Sequence, residues 1–159
     1  MIFVTVGAQM PFNRLIRAVD AWAGRTGRQD LFAQIGSGEY KPKHMKWTRF
    51  IKPGKFRQLF QDADAIVAHA GTGTILTALE LGKPILVMPR RGDLQETRND
   101  HQVATAKRFE EQGRVAVAYD EHSLILKLDE LACLKPSNRI GTQASPELLE
   151  RLRTFINSV

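Results

Sequence analysis

The sequence predicts an α/β fold with a doubly wound parallel sheet. Short apolar runs of strand length alternate along the chain with longer segments whose apolar residues recur at helical spacing. Alternating strands and helices favour right-handed β-α-β units, which bury a parallel sheet between two layers of helices. The chain has 159 residues, 43% of them hydrophobic and 25% charged, which is sufficient for one globular core. We therefore expect a single Rossmann-like domain over residues 1–159.

The first half of the chain contains four predicted strands and two predicted helices. A short β-branched run that ends at Gly7 predicts a first strand buried on both faces. Apolar residues recur at helical spacing over residues 12–22 and predict the first helix, with Pro11 at its start. The other elements are strands at residues 31–35, 64–68 and, more weakly, 48–51, and a short helix at 56–60.

The second half continues the alternation. Helices are predicted at residues 74–81, 99–112 and 123–131, and strands at 84–88 and 114–118. Gly113 ends the long helix, since glycine favours the position just after a helix. Ser145 and Pro146 predict the start of a last helix over residues 146–156, with Ser145 as the N-cap.

Charge and cysteine content limit the classes of function. The chain has 23 Lys+Arg against 17 Asp+Glu, so its net charge of +6 suggests an anionic partner: nucleic acid, a membrane surface or nucleotide phosphates. Cys133 is the single cysteine, which excludes an intrachain disulfide and fits a reducing compartment; its apolar neighbours predict a core position. No segment approaches the ~20 apolar residues of a membrane-spanning helix. We expect a cytoplasmic protein whose membrane association is peripheral.

Loops that follow predicted strands deserve most weight, because ligands of open parallel sheets bind beyond the carboxyl ends of the strands. One such loop, His69-Ala-Gly-Thr-Gly-Thr74, opens a helix. Gly71 and Gly73 let a ligand approach the backbone, and the helix amino end favours an anion such as phosphate. The alternative is a tight turn that needs glycine for its dihedral angles. The motifs G-x-x-x-x-G-K-[ST] and G-x-G-x-x-G are absent, which disfavours kinase-like and ordinary NAD-binding proteins.

A second polar group begins the helix predicted at residue 99. Asn99, Asp100, His101 and Gln102 are consecutive, and such a group suits a ligand with several hydroxyls, such as a sugar. The alternative is a helix N-cap, which would account for only one of the four residues. We expect no metal site, since His69 and His101 lack partners at metal-ligand spacing.

These motifs together resemble a known enzyme family. They are Ile2-Phe-Val-Thr-Val-Gly7 with Pro11-Phe12, Gln34-Ile-Gly36, His69-Ala-Gly-Thr-Gly-Thr74, and Gly82-Lys-Pro84 with Asp100-His-Gln102. Over residues 1–118 the chain resembles the C-terminal, donor-binding half of a family 28 glycosyltransferase of the two-domain GT-B type. It is most similar to the stand-alone form of that half, the catalytic subunit of two-part UDP-sugar glycosyltransferases. These act on dolichol-linked sugar in eukaryotes and in exopolysaccharide and capsule synthesis in bacteria.

The resemblance implies a UDP-sugar donor and assigns residues to it. Many relatives carry a ribose-binding carboxylate where this chain has Thr77, and the nearest carboxylate here is Glu80. The donor diphosphate would be bound by Gly7, His69, Gly71, Thr72, Gly73 and Thr74, and the ribose and sugar by Thr77, Glu80, Asp100, His101 and Gln102.

The resemblance also implies partners. Transfer would need charge stabilisation on the departing diphosphate, without a metal ion or other cofactor, and a general base that the sequence does not identify. The chain lacks an acceptor-binding half, so we expect a membrane-anchored partner subunit. That partner would bind a polyprenyl-diphosphate-linked sugar as acceptor and hold this inverting enzyme at the inner face of the membrane. Nucleic acid is not expected as a partner.

A basic stretch remains outside this assignment. Residues 41–57 contain seven basic residues and no acidic one, with aromatic residues between them. The stretch fits a solvated loop, a surface for anionic lipid or a partner, or a site for single-stranded nucleic acid. The alternative function is accordingly a basic, non-catalytic nucleic-acid- or membrane-binding module on a nucleotide-binding fold.

Overall fold

The computed structural model describes residues 1–135, whose strands form one parallel sheet. The strands are β1 (Ile2–Thr5), β2 (Leu31–Gln34), β3 (Lys46–Thr48), β4 (Ala65–His69), β5 (Ile85–Met88) and β6 (Ala116–Val117). Their order in the sheet is β3-β2-β1-β4-β5-β6, which confirms the doubly wound α/β fold. The helices are α1 (Asn13–Thr26), α2 (Pro53–Asp62), α3 (Thr72–Glu80), α4 (His101–Glu111) and α5 (Glu121–Asp129), followed by a 3-10 turn at Leu131–Cys133. The helix predicted at 146–156 lies outside the described residues.

The sheet is buried on both faces because β2, β1, β4 and β5 are apolar except at Gln34, Thr5 and His69, which end their strands. Val4 of β1 belongs to the core on the face covered by α1 and α5. Phe3 points to the opposite core, where α2, α3 and α4 pack. There its ring lies 5.5 Å from the ring of Phe60 and 5.6 Å from that of Phe56, in edge-on geometry that favours aromatic pairs. The run of β-branched and aromatic residues at the start of the chain therefore forms the strand between two cores.

Several predicted element boundaries were wrong, and those of the first helix and the third strand illustrate the causes. The first helix begins at Asn13 rather than at Pro11, because Phe12 has a non-helical backbone (φ −141°, ψ 64°) and buries its side chain in the core. The third strand is Lys46–Thr48 rather than residues 48–51, because its register is set by pairing with β2, which ends at Gln34 opposite Thr48.

The predicted core position of Cys133 was also wrong. Cys133 is exposed in the 3-10 turn, while Leu131, two residues earlier, takes the buried position. Apolar neighbours in sequence do not face the same way in a tight turn, so one of them occupies the core and the other faces solvent. Within residues 1–135, no helix combines the length and apolar character that a membrane crossing requires.

The position of the candidate site follows from the strand order. The connection from β1 leads to β2 on one side, while β4 lies on its other side, so the order reverses between β1 and β4. Ligands of such sheets bind in the crevice beyond the carboxyl ends of these two strands. Gly7 follows β1 and His69 ends β4, so two of the residues chosen from the sequence lie at this reversal.

Candidate functional site

The amino end of α3 provides the polar half of the site. Gly71 is the N-cap of α3 and no side chain of the described residues caps this end. The first helical hydrogen bond runs from the Ile75 amide to the Gly71 carbonyl (3.0 Å), so the amides of Thr72, Gly73 and Thr74 precede it. Such amides carry the positive end of the helix dipole and bind anions well. The loop after β4 therefore has the geometry of a phosphate cradle.

The two glycines of this loop have different roles. Neither Gly71 nor Gly73 has a positive φ, so the turn does not need glycine for its dihedral angles. A Cβ added at Gly71 would lie 2.2 Å from Nε2 of His69, which excludes any side chain while the imidazole keeps its place. A Cβ added at Gly73 meets no atom within 4 Å. Gly71 therefore makes room for His69, and Gly73 faces open space.

His69 is held between two glycines. Gly7, which has a φ of +76°, would place a Cβ 2.7 Å from Cε1 of the same imidazole. The ring is 8% exposed, and its Nδ1 lies 3.5 Å from the carbonyl oxygen of Thr5. Burial, together with the positive charge of Arg90, lowers the pKa of His69 to about 4. The imidazole is therefore neutral at neutral pH and adds no positive charge to the cradle.

Arg90 is a site residue whose role the sequence did not reveal. It follows β5, and its side chain is buried at 4% exposure. Nη2 donates to the carbonyls of Val6 (2.8 Å) and Met10, and the guanidinium lies 5.2 Å from the ring centroid of Phe12. Burial lowers the pKa of Arg90 to about 10, and its Nε has no partner among the described residues. Arg90 thus fixes the backbone of the loop after β1 through the carbonyl groups of Val6 and Met10.

A second clamp on this loop comes from β2. The Thr5 hydroxyl donates to Oε1 of Gln34 (2.7 Å), and the side-chain Nε2 of Gln34 donates to the carbonyls of Gly7 (3.0 Å) and Arg49 (2.9 Å). The Gly7 amide donates in turn to the Thr5 hydroxyl oxygen (3.2 Å). Both backbone groups of Gly7 are therefore fixed by buried side chains, which presets the loop conformation without a ligand.

An apolar cleft adjoins the cradle and forms the other half of the site. Its volume is about 390 Å³, and Phe50, which borders it, is 60% exposed. Such a large exposed aromatic ring beside a polar cradle suits a flat heterocyclic group. No motif in the sequence indicates that Phe50 and Phe56 border this site. The cleft is lined by Gly7, Ala8, Gln34, Phe50, Ile51, Pro53, Phe56, Gly73, Thr74 and Thr77.

The structure separates the two candidate ribose contacts. Thr77 lines the apolar cleft, and its hydroxyl donates to the Gly73 carbonyl (2.8 Å), which leaves the hydroxyl oxygen as an acceptor. Glu80 is the last residue of α3, at the end away from the cradle. Its Oε2 lies 3.7 Å from Nη1 of Arg57 on α2. Only Thr77 of this pair borders the cleft.

The polar group at residues 99–102 supports the loop after β5. Asp100 occupies the N-cap position of α4, but its Oδ1 accepts from the Gly92 amide (2.9 Å) instead of capping the helix. Oε1 of Gln102 accepts from the Arg90 amide (3.1 Å). His101 is exposed, and its amide donates to Oδ1 of Asn99 (3.2 Å). The side chains of Asp100 and Gln102 thus fix the backbone of the loop after β5, the strand that lies next to β4.

Asp100 also borders a separate cleft of about 400 Å³, lined by Pro89, Arg91, Asp93, Asp100, Val103 and Tyr119. Of the three predicted sugar contacts, only Asp100 lines this cleft, and none of them lines the apolar cleft. No group of three or more His, Cys, Asp or Glu in the described residues has the arrangement of a metal site.

The basic stretch is divided between different parts of the molecule. Nη1 of Arg49 donates to the carbonyls of Gly36 (3.3 Å) and Gly38 (3.0 Å). Trp47 and Phe56 pack against the two cores. Only part of the stretch is therefore a charged surface, which weakens the alternative of a nucleic-acid groove with aromatic residues between its charges.

The chain is similar to one described protein family and to several known proteins. The family described as glycosyltransferase family 28 C-terminal domain matches residues 1–152. The chain is 31% identical over 124 residues to the UDP-N-acetylglucosamine transferase subunit ALG13 of Homo sapiens, covering 72% of this chain and 10% of that protein. It is 25% identical over 201 residues to the subunit of the same name from Candida glabrata, covering 98% of each. The chain therefore spans about a tenth of the length of the human relative.

Solved structures with a similar fold include a solution structure of ALG13, with a TM-score of 0.60 and 23% identity over 95% of this chain and 93% of that one. Another is the glycotransferase of kitacinnamycin, with a TM-score of 0.60 and 20% identity over 96% of this chain and 37% of that one. At these identities the likeness concerns the fold alone.

Proposed function

Because the chain belongs to the glycosyltransferase family 28 C-terminal domains, we propose that it is the donor-binding catalytic subunit of an inverting UDP-sugar glycosyltransferase. One observation carries the proposal: the uncapped amino end of α3 and the apolar cleft meet at Gly73 and Thr74. A nucleotide sugar has an anionic diphosphate joined to a flat nucleoside. The two halves of the site offer matching chemistry in adjacent positions.

The diphosphate is assigned to the cradle. The amides of Thr72, Gly73 and Thr74 donate to its oxygens, and the loop at Gly7 closes the crevice from the side of β1. As the glycosidic bond breaks, charge builds on the leaving diphosphate, where preorganised amides stabilise it. Loss of one such donor typically costs about 100- to 1000-fold in rate. The neutral imidazole of His69 supports Gly7 and Gly71 and does not compete for the charge.

The nucleoside is assigned to the apolar cleft. The uracil ring packs against Phe50, and a ribose hydroxyl donates to the oxygen of Thr77, whose own proton is used by Gly73. This leaves Glu80 to its pairing with Arg57. A neutral acceptor at residue 77 gives a weaker ribose contact than a carboxylate would, since charge-assisted hydrogen bonds are about twice as strong.

The donor sugar is assigned to the side of the cradle formed by the loop after β5, where Asp100, His101 and Gln102 lie. Asp100 keeps one carboxylate oxygen without a hydrogen bond to a described residue, and His101 is exposed, so both can contact hydroxyls. The curated relatives are named as UDP-N-acetylglucosamine transferase subunits, which supports an N-acetylhexosamine as the first sugar to test.

The acceptor side is assigned to a second chain. The relatives are named as subunits, which supports a second chain. Residues 1–135 form a single sheet, and in this proposal its donor crevice is one wall of a site whose other wall binds the acceptor. We place the other wall, the general base and a polyprenyl-diphosphate-linked acceptor on a membrane-anchored partner, in polysaccharide synthesis at the inner face of the membrane. Residues 1–159 would then act as one donor domain.

Calorimetric titration tests this function. The chain, alone and co-purified with its partner, is titrated with UDP, UDP-N-acetylglucosamine, UDP-glucose, UDP-glucuronic acid and GDP at low and high salt. We expect UDP ligands to bind more tightly than GDP, with a preference that survives high salt because it depends on how the base packs in the apolar cleft, which salt does not screen. Equal binding of all ligands, falling uniformly with salt, would instead indicate a non-specific anion surface and refute the assignment.

A further inference from the structure

A third cleft, called the basic cleft, lies at the amino end of the sheet, opposite the donor crevice. It has a volume of about 500 Å³ and is formed by the end of α1, the connection to β2 and the segment that leads into β3. Among the described residues its lining contains four basic side chains and no carboxylate. The lining residues are Ala23, Gly24, Gly27, Arg28, Gln29, Lys43, His44, Met45 and Lys46.

The wall of this basic cleft is fixed from beneath by a buried carboxylate. Asp20, which is 1% exposed, accepts from the Tyr40 hydroxyl (2.7 Å), the Lys43 amide (3.0 Å) and the His44 amide (2.8 Å). Burial alone would raise the pKa of Asp20, but these hydrogen bonds lower it below its usual range. The His44 ring lies against Gly24, where an added Cβ would be 3.0 Å from the ring. The backbone that carries these basic side chains is therefore fixed at Lys43 and His44.

The positive charges of the cleft are only partly neutralised. Arg28 pairs with Asp30 through two hydrogen bonds of 2.8 Å, and Nδ1 of His44 lies 3.5 Å from Asp20. The ammonium groups of Lys43 and Lys46 have no ion pair within residues 1–135, and both side chains are exposed. Two unpaired cations thus face a concave surface whose floor includes the buried Met45.

We propose that this cleft binds the phosphate group of an anionic ligand. A phosphate offers several oxygens to N–H donors, and the lining supplies two unpaired ammonium groups from one chain segment and the partly neutralised Arg28 guanidinium from another. Such a group can come from a phospholipid headgroup or from a soluble phosphate compound, and the chemistry of recognition is the same. The site is independent of the proposed donor function, because it lies at the other end of the strands.

The test uses the full chain with the donor crevice saturated by UDP. Pyrophosphate is titrated while amide chemical shifts are followed, and sedimentation is measured with phosphatidylcholine vesicles with and without phosphatidylglycerol. We expect saturable shifts at residues 27–29 and 43–46. The double variant Lys43→Gln/Lys46→Gln should bind about two- to thirtyfold more weakly, because each exposed lysine contributes only a solvent-screened attraction to the phosphate.

The matched control is Lys41→Gln/Lys55→Gln, which removes the same charge from the same basic stretch but outside the cleft. It should bind like the unchanged protein. Pyrophosphate binding without vesicle binding would identify a soluble ligand, and a preference for phosphatidylglycerol vesicles would identify a lipid headgroup. The proposal is overturned if pyrophosphate shifts none of these amides and the chain does not sediment with phosphatidylglycerol vesicles, or if the control loses as much affinity as the cleft variant. UDP affinity is measured in parallel, so failure of the donor site is recognised separately.

Discussion

Substituting Gly73 by alanine separates ligand binding from stability at the cradle. Gly73 is the second residue of α3, its φ is not positive, and an added Cβ would meet no protein atom within 4 Å. Alanine in a helix is more stable than glycine by about 0.5–1 kcal/mol. The Gly73→Ala protein should therefore unfold at slightly higher denaturant concentration. Its new methyl group, however, stands where the diphosphate would approach the helix amides.

The expected loss of affinity follows from the same geometry. A diphosphate displaced from one amide loses a hydrogen bond to a charged group, which is worth about 1.5–3 kcal/mol, or roughly 10- to 150-fold in the dissociation constant. Calorimetric titration with UDP measures this loss, and urea denaturation measures stability on the same samples.

Gly54 provides a matched control. It is the second residue of α2, and a Cβ there also meets no atom within 4 Å. Gly54→Ala should gain the same stability and retain UDP affinity. If Gly73→Ala bound UDP as tightly as Gly54→Ala, the phosphate would not lie against the amino end of α3, and the reasoning on the cradle would be refuted.

Three further predictions concern the buried polar groups. The free energy of unfolding should fall by up to about 3 kcal/mol as the pH drops from 6.5 towards 4. The cause is that unfolded His69 takes up a proton that the folded state binds only near pH 4. A His69→Gln protein whose stability depended on pH in the same way would contradict the assignment of this effect to His69. Arg90→Met should cost about 1–3 kcal/mol in urea denaturation and weaken UDP binding, since it leaves the carbonyls of Val6 and Met10 without their donor; unchanged amide shifts at residues 6–10 would argue against this role. Gln34→Glu should cost about 3 kcal/mol or more, because a carboxylate would face the Gly7 carbonyl, and a thermal melt of Gln34→Glu beside Gln34→Met distinguishes this repulsion from the loss of packing.

The sequence predicts the fold well because its signals are local. The apolar run of β1 and the helical spacing before Trp22 are read within a few residues, and the structure contains both elements. Gly7 and His69 could be placed at the carboxyl ends of strands because position in a β-α-β unit fixes where a loop lies.

The parts that could not be predicted depend on the path of distant segments. Arg90 is buried only because the loop after β1 crosses over it, and no pattern near residue 90 records that crossing. Phe50 borders the apolar cleft because β3 ends early, at Thr48, and the chain then turns towards α2. A short edge strand has too few residues for periodicity to fix its register.

Because the imidazole of His69 packs between Gly7 and Gly71, the substitutions that these positions tolerate depend on the order in which they occur. Gly71 has a φ of −79°, which any residue can adopt, so only the imidazole excludes a side chain there. A lineage that first replaced His69 by a small residue could afterwards accept alanine at position 71, whereas the reverse order passes through a clash. Gly7 gains no such freedom, because its φ of +76° disfavours other residues whatever stands at position 69. Substitutions at 69 and 71 are therefore coupled in a fixed order, while position 7 stays independent of both.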